Sequence, residues 1–403
     1  MKNEVTLNRI ALKNALTQAN KLVKSSVKPI LMNVRLETVP HGLIIRATDL
    51  EVYLTQCVEG PVLGRIECLV SAKQFLDAVK GSRLKEIRLE LTTRPSKAPE
   101  AHHLDQVLMI SGIELDAGDD LEEYPLRPEF EPAEAVTYQA EDLKAAFRQT
   151  QFAVAKDASC YAYNGLLFES RGVLVATDGR RLAISEIQED PKSWEAIVPL
   201  HGFDLVTKTM TDTVTVERLN NSVGHPMIRF HDDAQAEVIC RQLEGDFPKY
   251  EDVIPDSGKI QTVSIDREPF DEAVRQAVAL NASIKKDDKD NPRAFEIFFD
   301  TQRVEVTSEV AGTGKMKLEA EAVVPSSLKG LTVVFNPDFV LDFLKSMPKI
   351  GALRSSHCMT KEHGRIHLGV QRPRKGKRVD SAATFKDVDE TEATYILMPI
   401  TEK

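Results

Sequence analysis

The chain has 403 residues, 42% of them hydrophobic and 28% charged, which is apolar material for several cores at the usual roughly 100–200 residues per domain. Its 52 Lys and Arg against 62 Asp and Glu give −10, which excludes a wholly basic nucleic-acid binder but not a basic stripe on an acidic body. Only 6% is aromatic, so most of the core must come from Leu, Val, Ile and Ala. The first twenty residues alternate polar and apolar and lack the apolar stretch of a signal peptide. No run approaches the length of about 18 apolar residues that spans a bilayer. Cys57, Cys68, Cys160, Cys240 and Cys358 are scattered, with no C-x-x-C, and read as reduced thiols. The expectation is a soluble, cytoplasmic protein.

Taken in chain order, the elements repeat. Residues 5–23 begin as an alternating strand and turn into a helix with apolar Leu12 and Leu16 four apart. Alternating stretches follow, among them LIIRATDLEVYL, and residues 70–80 give a second strand and helix with Phe75 five after Val70. Residues 136–154 restart the pattern with Leu143 and Phe147, followed by VLVATDGRRLAIS and by residues 198–208 with Phe203 five after Val198. Residues 263–280 restart it again with Phe270 and Val274, followed by VEVTSEVAG and by residues 334–345 with Phe339 five after Val334. The offsets between equivalent markers are 127–136 residues. Ala47-Thr-Asp and Ala176-Thr-Asp occupy the same place in the first two units, and Val306-Thr-Ser replaces them in the third. The chain is therefore a triplicated α+β unit of antiparallel sheet with two helices per unit, helices packed on one side. Pro and acidic residues collect at residues 119–134 and 245–258, which sets domains at 1–124, 133–254 and 260–403, each with its own core.

Over residues 12–24, 70–85, 142–156, 198–208, 270–286 and 337–349, sixteen Lys and Arg face seven Asp and Glu, a net +9 that leaves −19 elsewhere. Such helix faces are either simply solvated or, as six equivalent helices lining one surface, a match for duplex phosphates spaced about 1.7 Å per charge.

At PILMNVRLE from Pro29, ATDLEV from Ala47, YNGLLFE from Tyr163, ATDGRRLA from Ala176, GDFPKYEDVIP from Gly245, FNP from Phe335 and YILMPI from Tyr395, the chain resembles the bacterial DNA polymerase III β subunit (sliding clamp) family over essentially its whole length. The resemblance implies the DNA clamp fold, a head-to-tail homodimer ringing double-stranded DNA without sequence preference, and no catalysis and no cofactor or metal of its own. It also implies a cleft where the DNA polymerase III α subunit, the clamp loader, other polymerases and repair proteins dock a short linear motif.

Carried over by position, the cleft residues are Tyr163, Thr177, Gly179, Arg180, Arg181, Leu182, Pro248, Val253, Asn336, Phe339, Ile396, Leu397, Met398, Pro399 and Ile400. Without the resemblance, Leu182 and Ile396 read as core strand residues. Lys24, Lys73, Lys156 and Tyr161 map to DNA contacts, against a solvated surface reading for each, and Ala279 and Leu280 map loosely to the dimer contact. Arg180 stands where His is common, Tyr163 where Leu is frequent and Asp252 where Arg is frequent, and the chain ends without the family's usual basic residue followed by Leu. These departures lead to the expectation of an altered motif preference.

Cys358, His363 and His367 have a metal-like spacing, but the alternation around a Gly favours a β-hairpin. Gly312-Thr-Gly-Lys315 lacks the first Gly of a phosphate loop and reads as a turn. Asp116, Asp119 and Asp120 read as a solvated acidic turn. The basic insertion 372–378 is either an outer loop or an accessory contact to DNA or a partner.

Overall fold

A computed structural model describes the chain except residues 1, 25–27, 96–103, 119, 129–130, 157–160, 188–192, 221–225, 234–235, 286–291, 349–363, 374–375, 380, 388–392 and 401–403. β1 (Glu4–Asn8) leads into α1 (Arg9–Val23), then β2 (Asn33–Val39), β3 (Gly42–Thr48), β4 (Val52–Glu59) and the short β5 (Val62–Leu63). β6 (Glu67–Ser71) leads into α2 (Ala72–Gly81), then β7 (Glu86–Pro95), β8 (Leu104–Ile110) and β9 (Ile113–Ala117). The round begins again with β10 (Glu131–Gln139), α3 (Ala140–Thr150), β11 (Gly165–Glu169), β12 (Val173–Thr177) and β13 (Arg181–Glu186). Its second half is β14 (Glu195–Pro199), α4 (Leu200–Thr209), β15 (Thr213–Asn220), β16 (Met227–Asp232) and β17 (Glu237–Arg241). The third round has β18 (Ile260–Asp266), α5 (Arg267–Leu280), β19 (Phe295–Phe299), β20 (Arg303–Val310) and β21 (Gly314–Val323). It closes with β22 (Thr332–Phe335), α6 (Pro337–Ser346), β23 (Arg365–Gln371), β24 (Ala383–Asp387) and β25 (Ala393–Leu397). Each helix directly follows a strand, as the repeated pattern requires.

Local chemistry explains the helix starts. Asn8 caps α1, its Oδ1 accepting from the backbone N–H groups of Ile10 and Ala11 at 2.9 and 3.1 Å. Asn336 does the same for α6, with Pro337 at the first helical position. The helices end earlier than the windows used for the charge estimate. Within their observed bounds, eleven Lys and Arg meet nine Asp and Glu, so the helices themselves are nearly balanced. The excess lies beyond their carboxyl ends, at Lys24, Arg83, Lys85, Lys156 and Lys285 among the described residues, where a cation complements the helix dipole only near the terminus. The expectation of electropositive helix faces is corrected accordingly. On the helices, Asp204 takes both Lys21 and Lys208, and Asp271 takes Arg275.

The chain divides into two compact units, residues 1–144 with 198–243, and residues 145–197 with 244–403. In the first, a five-stranded sheet runs β5-β1-β7-β8-β9 and an eight-stranded sheet runs β10-β15-β16-β17-β4-β3-β2-β6. The second is built on a twelve-stranded sheet, β14-β11-β12-β13-β25-β24-β23-β18-β21-β20-β19-β22. Sheets therefore run on through the sequence repeats: β17 pairs with β4 (Cys240 opposite Val52), and β13 pairs with β25 (Leu182 opposite Ile396). β10 starts at Glu131, inside the acidic segment read as linker, with an irregularity between Pro132 and Glu134.

In the first unit, α1 packs on α2 and on β3, burying Leu12, Leu16, Phe75 and Val79 with Leu43 and Ile45, at roughly 1.5–3 kcal/mol per large side chain. In the second, α5 packs on α6, β20 and β21, burying Phe270 and Val274. Phe343 stacks on Tyr395 with ring centroids 5.4 Å apart, and Phe385 lies edge-on to Phe335 at 5.3 Å. Gly312 and Thr313 lie in the turn between β20 and β21, with the Thr313 N–H donating to the Val310 carbonyl, and Gly314 and Lys315 open β21. His367 lies in β23, whereas Cys358 and His363 fall outside the described residues. Arg94 pairs with Asp116 of β9. No helix among the described residues is long and apolar enough to cross a membrane.

Candidate functional site: an apolar slot in the second unit

The slot starts from a turn whose hydrogen bonds are written in its sequence. Between β12 and β13, the Thr177 hydroxyl donates to the Arg181 carbonyl at 2.7 Å and accepts from the Gly179 N–H at 3.1 Å. Asp178 Oδ1 accepts from the N–H groups of Arg180 and Arg181 at 3.0 and 3.1 Å. Gly179 has φ +80°, a conformation that costs other residues energy and glycine none.

The turn presents two arginines in opposite states. Arg181 is buried, its Nε on Asp178 Oδ2 at 2.9 Å and its Nη1 on Asp342 Oδ2 at 2.8 Å. Its guanidinium sits 4.5 Å from the Phe339 ring centroid and 5.6 Å from that of Phe152. Burial alone would depress its pKa, but Tyr395, Asp342 and Asp178 outweigh burial and raise it. Arg180 points to solvent, with no ion pair among the described residues.

Next to this turn lies a cavity of about 140 Å³, lined by Tyr163, Thr177, Gly179, Arg180, Arg181, Leu182, Pro248, Lys249, Tyr250, Val253, Ile396 and Met398. Leu182 and Ile396, opposite one another in β13 and β25, are 3% and 2% exposed, whereas Val253 and Met398 are each 50% exposed. The slot thus has a fixed aliphatic floor and a soft, open lip, with a thioether suited to varied shapes. Its volume has room for one or two apolar side chains. Tyr163 is braced edge-on by Phe247 at 6.4 Å.

Ten of the fifteen residues expected at a cleft line this one cavity. The other five do not. Leu397 and Pro399 are buried, Asn336 is spent on capping α6, Phe339 lies beside Arg181, and Ile400 lines a separate cavity with Glu296 and Arg378. Phe339 thereby departs from Phe75 and Phe203, its counterparts in the repeat, which are fully buried.

Sequence reasoning missed Lys249 and Tyr250, although both sit inside the GDFPKYEDVIP segment. Tyr250 is a wall held from behind. Its hydroxyl donates to Glu169 Oε1 at 3.2 Å and accepts from Arg171 Nη2 at 3.0 Å, while Arg171 Nε bonds Glu169 Oε2 at 2.5 Å. Glu169 is fully buried. Burial, then the Glu169 and Glu251 carboxylates, push the Tyr250 hydroxyl above its ordinary pKa, so it stays protonated and able to donate.

Comparison with known proteins decides the family. The model of the DNA polymerase III beta subunit N-terminal domain matches residues 3–114, and that of the central domain of the same subunit matches residues 137–249. Together they span more than half of the chain. The chain belongs to the DNA polymerase III beta subunit family. It is 27% identical to the beta sliding clamp of Chlamydia pneumoniae over 79% of this chain and 82% of that one. To the beta sliding clamp of Staphylococcus aureus (strain Mu50) it is 25% identical, over 82% and 88%. The fold is that of the DNA polymerase III beta subunit from Thermotoga maritima, with a TM-score of 0.76 at 22% identity covering 100% of both chains. It is equally that of a Pseudomonas aeruginosa DNA polymerase sliding clamp, with a TM-score of 0.77 at 22% identity over 99% and 100%.

The residues expected at a DNA or dimer contact lie apart from the slot lining. Lys24 caps the carboxyl end of α1, Lys73 lies in the first turn of α2, and Lys156 follows the short 3-10 turn Gln151–Ala153. All three are exposed and have no ion pair among the described residues. Tyr161 opens the 3-10 turn Tyr161–Asn164, and its side chain lies outside the described residues. Ala279 is exposed and Leu280 half-buried at the end of α5, with Leu280 Cδ1 3.8 Å from where a Cβ on Gly314 would stand.

Proposed function

We propose that this chain is a sliding clamp of DNA replication, a non-catalytic, cytoplasmic, head-to-tail homodimer that rings duplex DNA and tethers the replicative polymerase. Its domains are 1–124, 133–254 and 260–403. Lys24, Lys73, Lys156 and Tyr161 face the duplex, and contact is to phosphates rather than bases, so that the ring slides. The slot beside the Thr177–Arg181 turn takes short linear motifs of the polymerase α subunit, the clamp loader and repair proteins. The observation that carries the reading is the match of two beta-subunit family models in chain order on a thrice-repeated strand–helix pattern.

Supporting the dimer are open strand edges. β9 ends its sheet and is bridged to β6 only between Gly118 and Leu69, and β21 pairs with β18 only at Ala322 and Val323, which leaves residues 314–321, beside Leu280, without a strand on that side among the described residues. Edges of this kind are usually paired or protected, and unlike edges on two copies make a heterologous contact that closes a ring.

The test is primer extension on a long circular template with the cognate polymerase and clamp loader. Adding this chain lengthens the products made in a single binding event, and the chain alone hydrolyses no nucleotide. Product length unchanged by the chain contradicts the reading.

A further inference from the structure

The rim of the slot carries two cations that make no ion pair among the described residues. Arg180 and Lys249 both line the cavity, both are exposed, and neither has an ion-pair partner among the described residues. Arg181, the third cation of the lining, is already engaged by two carboxylates, Asp178 and Asp342, and adds no positive charge to the rim. The exposed carboxylates of Glu251 and Asp252, on the turn after Lys249, are not part of the lining. Leu182, Ile396, Val253 and Met398 make the interior apolar, and it offers no carboxylate of its own. An occupant that fills the slot with apolar side chains brings its flanking residues under these two cations and displaces water there, which strengthens whatever charge interaction results.

Resting on the docking role proposed above, we infer that Arg180 and Lys249 are specificity-determining residues that select partner segments with an Asp or Glu next to the apolar anchors. The occupant is an acidic, apolar linear peptide. The cationic lip disfavours segments with Lys or Arg at that place, and like charge is the discriminating element.

The probe is an array of synthetic decapeptides, each with two apolar anchors from Leu, Met and Phe at varied spacing. Each peptide is made in Asp, Asn and Lys versions at every position flanking the anchors. Binding is measured by fluorescence anisotropy to the full chain and to three variants, Arg180→Ser with Lys249→Ser, Arg180→Glu with Lys249→Glu, and Val253→Asp.

The wild-type chain is expected to bind the best Asp peptides about three- to tenfold tighter than their Asn versions, the scale of one or two exposed ion pairs. That preference shrinks as salt is raised from about 0.15 M to about 0.5 M. It vanishes in the double Ser variant, and the double Glu variant prefers Lys peptides. Equal binding of Asp and Asn versions to the wild type, or a preference that survives the double Ser variant, overturns the inference while leaving the docking slot intact. Absence of binding by every peptide, or binding indifferent to Val253→Asp, overturns the slot reading and the inference with it.

Discussion

Two adjacent arginines of one turn divide the labour of the slot. Arg181 is locked between two carboxylates and two aromatic rings and serves the architecture, whereas Arg180 is exposed with no ion pair among the described residues. The same division separates the floor from the lip. Leu182 and Ile396 are core strand residues and cavity lining at once, so the two readings open at the sequence level both describe them. Val253 is the cleaner handle because it is half exposed, on the short 3-10 turn Tyr250–Val253 rather than in a core strand. Val253→Asp is expected to leave the thermal unfolding midpoint within a degree or two while weakening apolar peptide binding about tenfold, the worth of a partly buried Val. Isothermal titration and a melting curve on the same preparation check both halves. Trp194, the single tryptophan, is buried against Phe168 and reports whether the β11 region behind Tyr250 is intact.

At the scale of elements, much of the repeat was legible because its turn chemistry is local. Thr48 and Asp49 make the same four hydrogen bonds as Thr177 and Asp178, with Leu50 at φ +79° standing where Gly179 has +80°. The third unit loses the marker for a physical reason. Val306-Thr-Ser lies in the middle of β20, where the Ser308 hydroxyl donates to the Ala294 carbonyl instead of closing a turn. Helix ends were less legible, since the Lys and Arg beyond them continue a charge pattern without continuing the helix. Sheet pairing between repeats was not legible at all, because an edge strand carries no local mark of its neighbour.

One such junction yields two predictions. In the first unit, α4 approaches β17 so closely that a Cβ on Gly202 would stand 2.5 Å from the Cys240 sulfur and 3.3 Å from Val52 Cγ2. Gly to Ala inside a helix ordinarily stabilises by about 1 kcal/mol. Here overpacking decides the sign, and Gly202→Ala is expected to destabilise by about 1–3 kcal/mol. Adding Cys240→Ala should restore most of that loss in a denaturant melt, and failure to do so contradicts the contact.

The second prediction concerns His201 at the start of the same helix, whose Nε2 lies 3.2 Å from Asp49 Oδ2. The Asp49 hydrogen bond raises the histidine above its ordinary 6.5, helped by the charges of Asp49, Glu51 and Asp204 against the effect of burial. Burial alone would raise Asp49, but His201 and the backbone amides of Val52 and Glu51 hold it below its ordinary 3.8. A raised histidine gives stability that is full below its unfolded pKa and lost as pH rises through the folded one. A depressed carboxylate gives stability that is lost as pH falls through its folded pKa. The pair therefore works between the two. The difference in melting temperature between wild type and His201→Gln should be greatest near pH 5–6 and should fade by about pH 8. A difference that is flat with pH means the pair is not ionic.

For the whole molecule, the proposed clamp function depends on closure of a ring rather than on tight binding. The net charge of −10 excludes a wholly basic surface, and the helices are nearly balanced. Under that proposal, a few exposed cations such as Lys24, Lys73 and Lys156 suffice because topology, not affinity, holds the duplex. The fold class and the slot were readable because motifs and repeats are local. Lys249 and the Glu169–Arg171–Tyr250 brace were not, because their roles depend on residues about 80 positions apart in sequence meeting in space. The most direct test loads the protein onto nicked circular plasmid with the cognate clamp loader, removes the loader, and follows retention by gel filtration before and after linearising the DNA. The account predicts retention on the circle at moderate salt and rapid loss once an end is cut. Equal retention on both forms, or loss from the circle as fast as from the linear duplex, would contradict it.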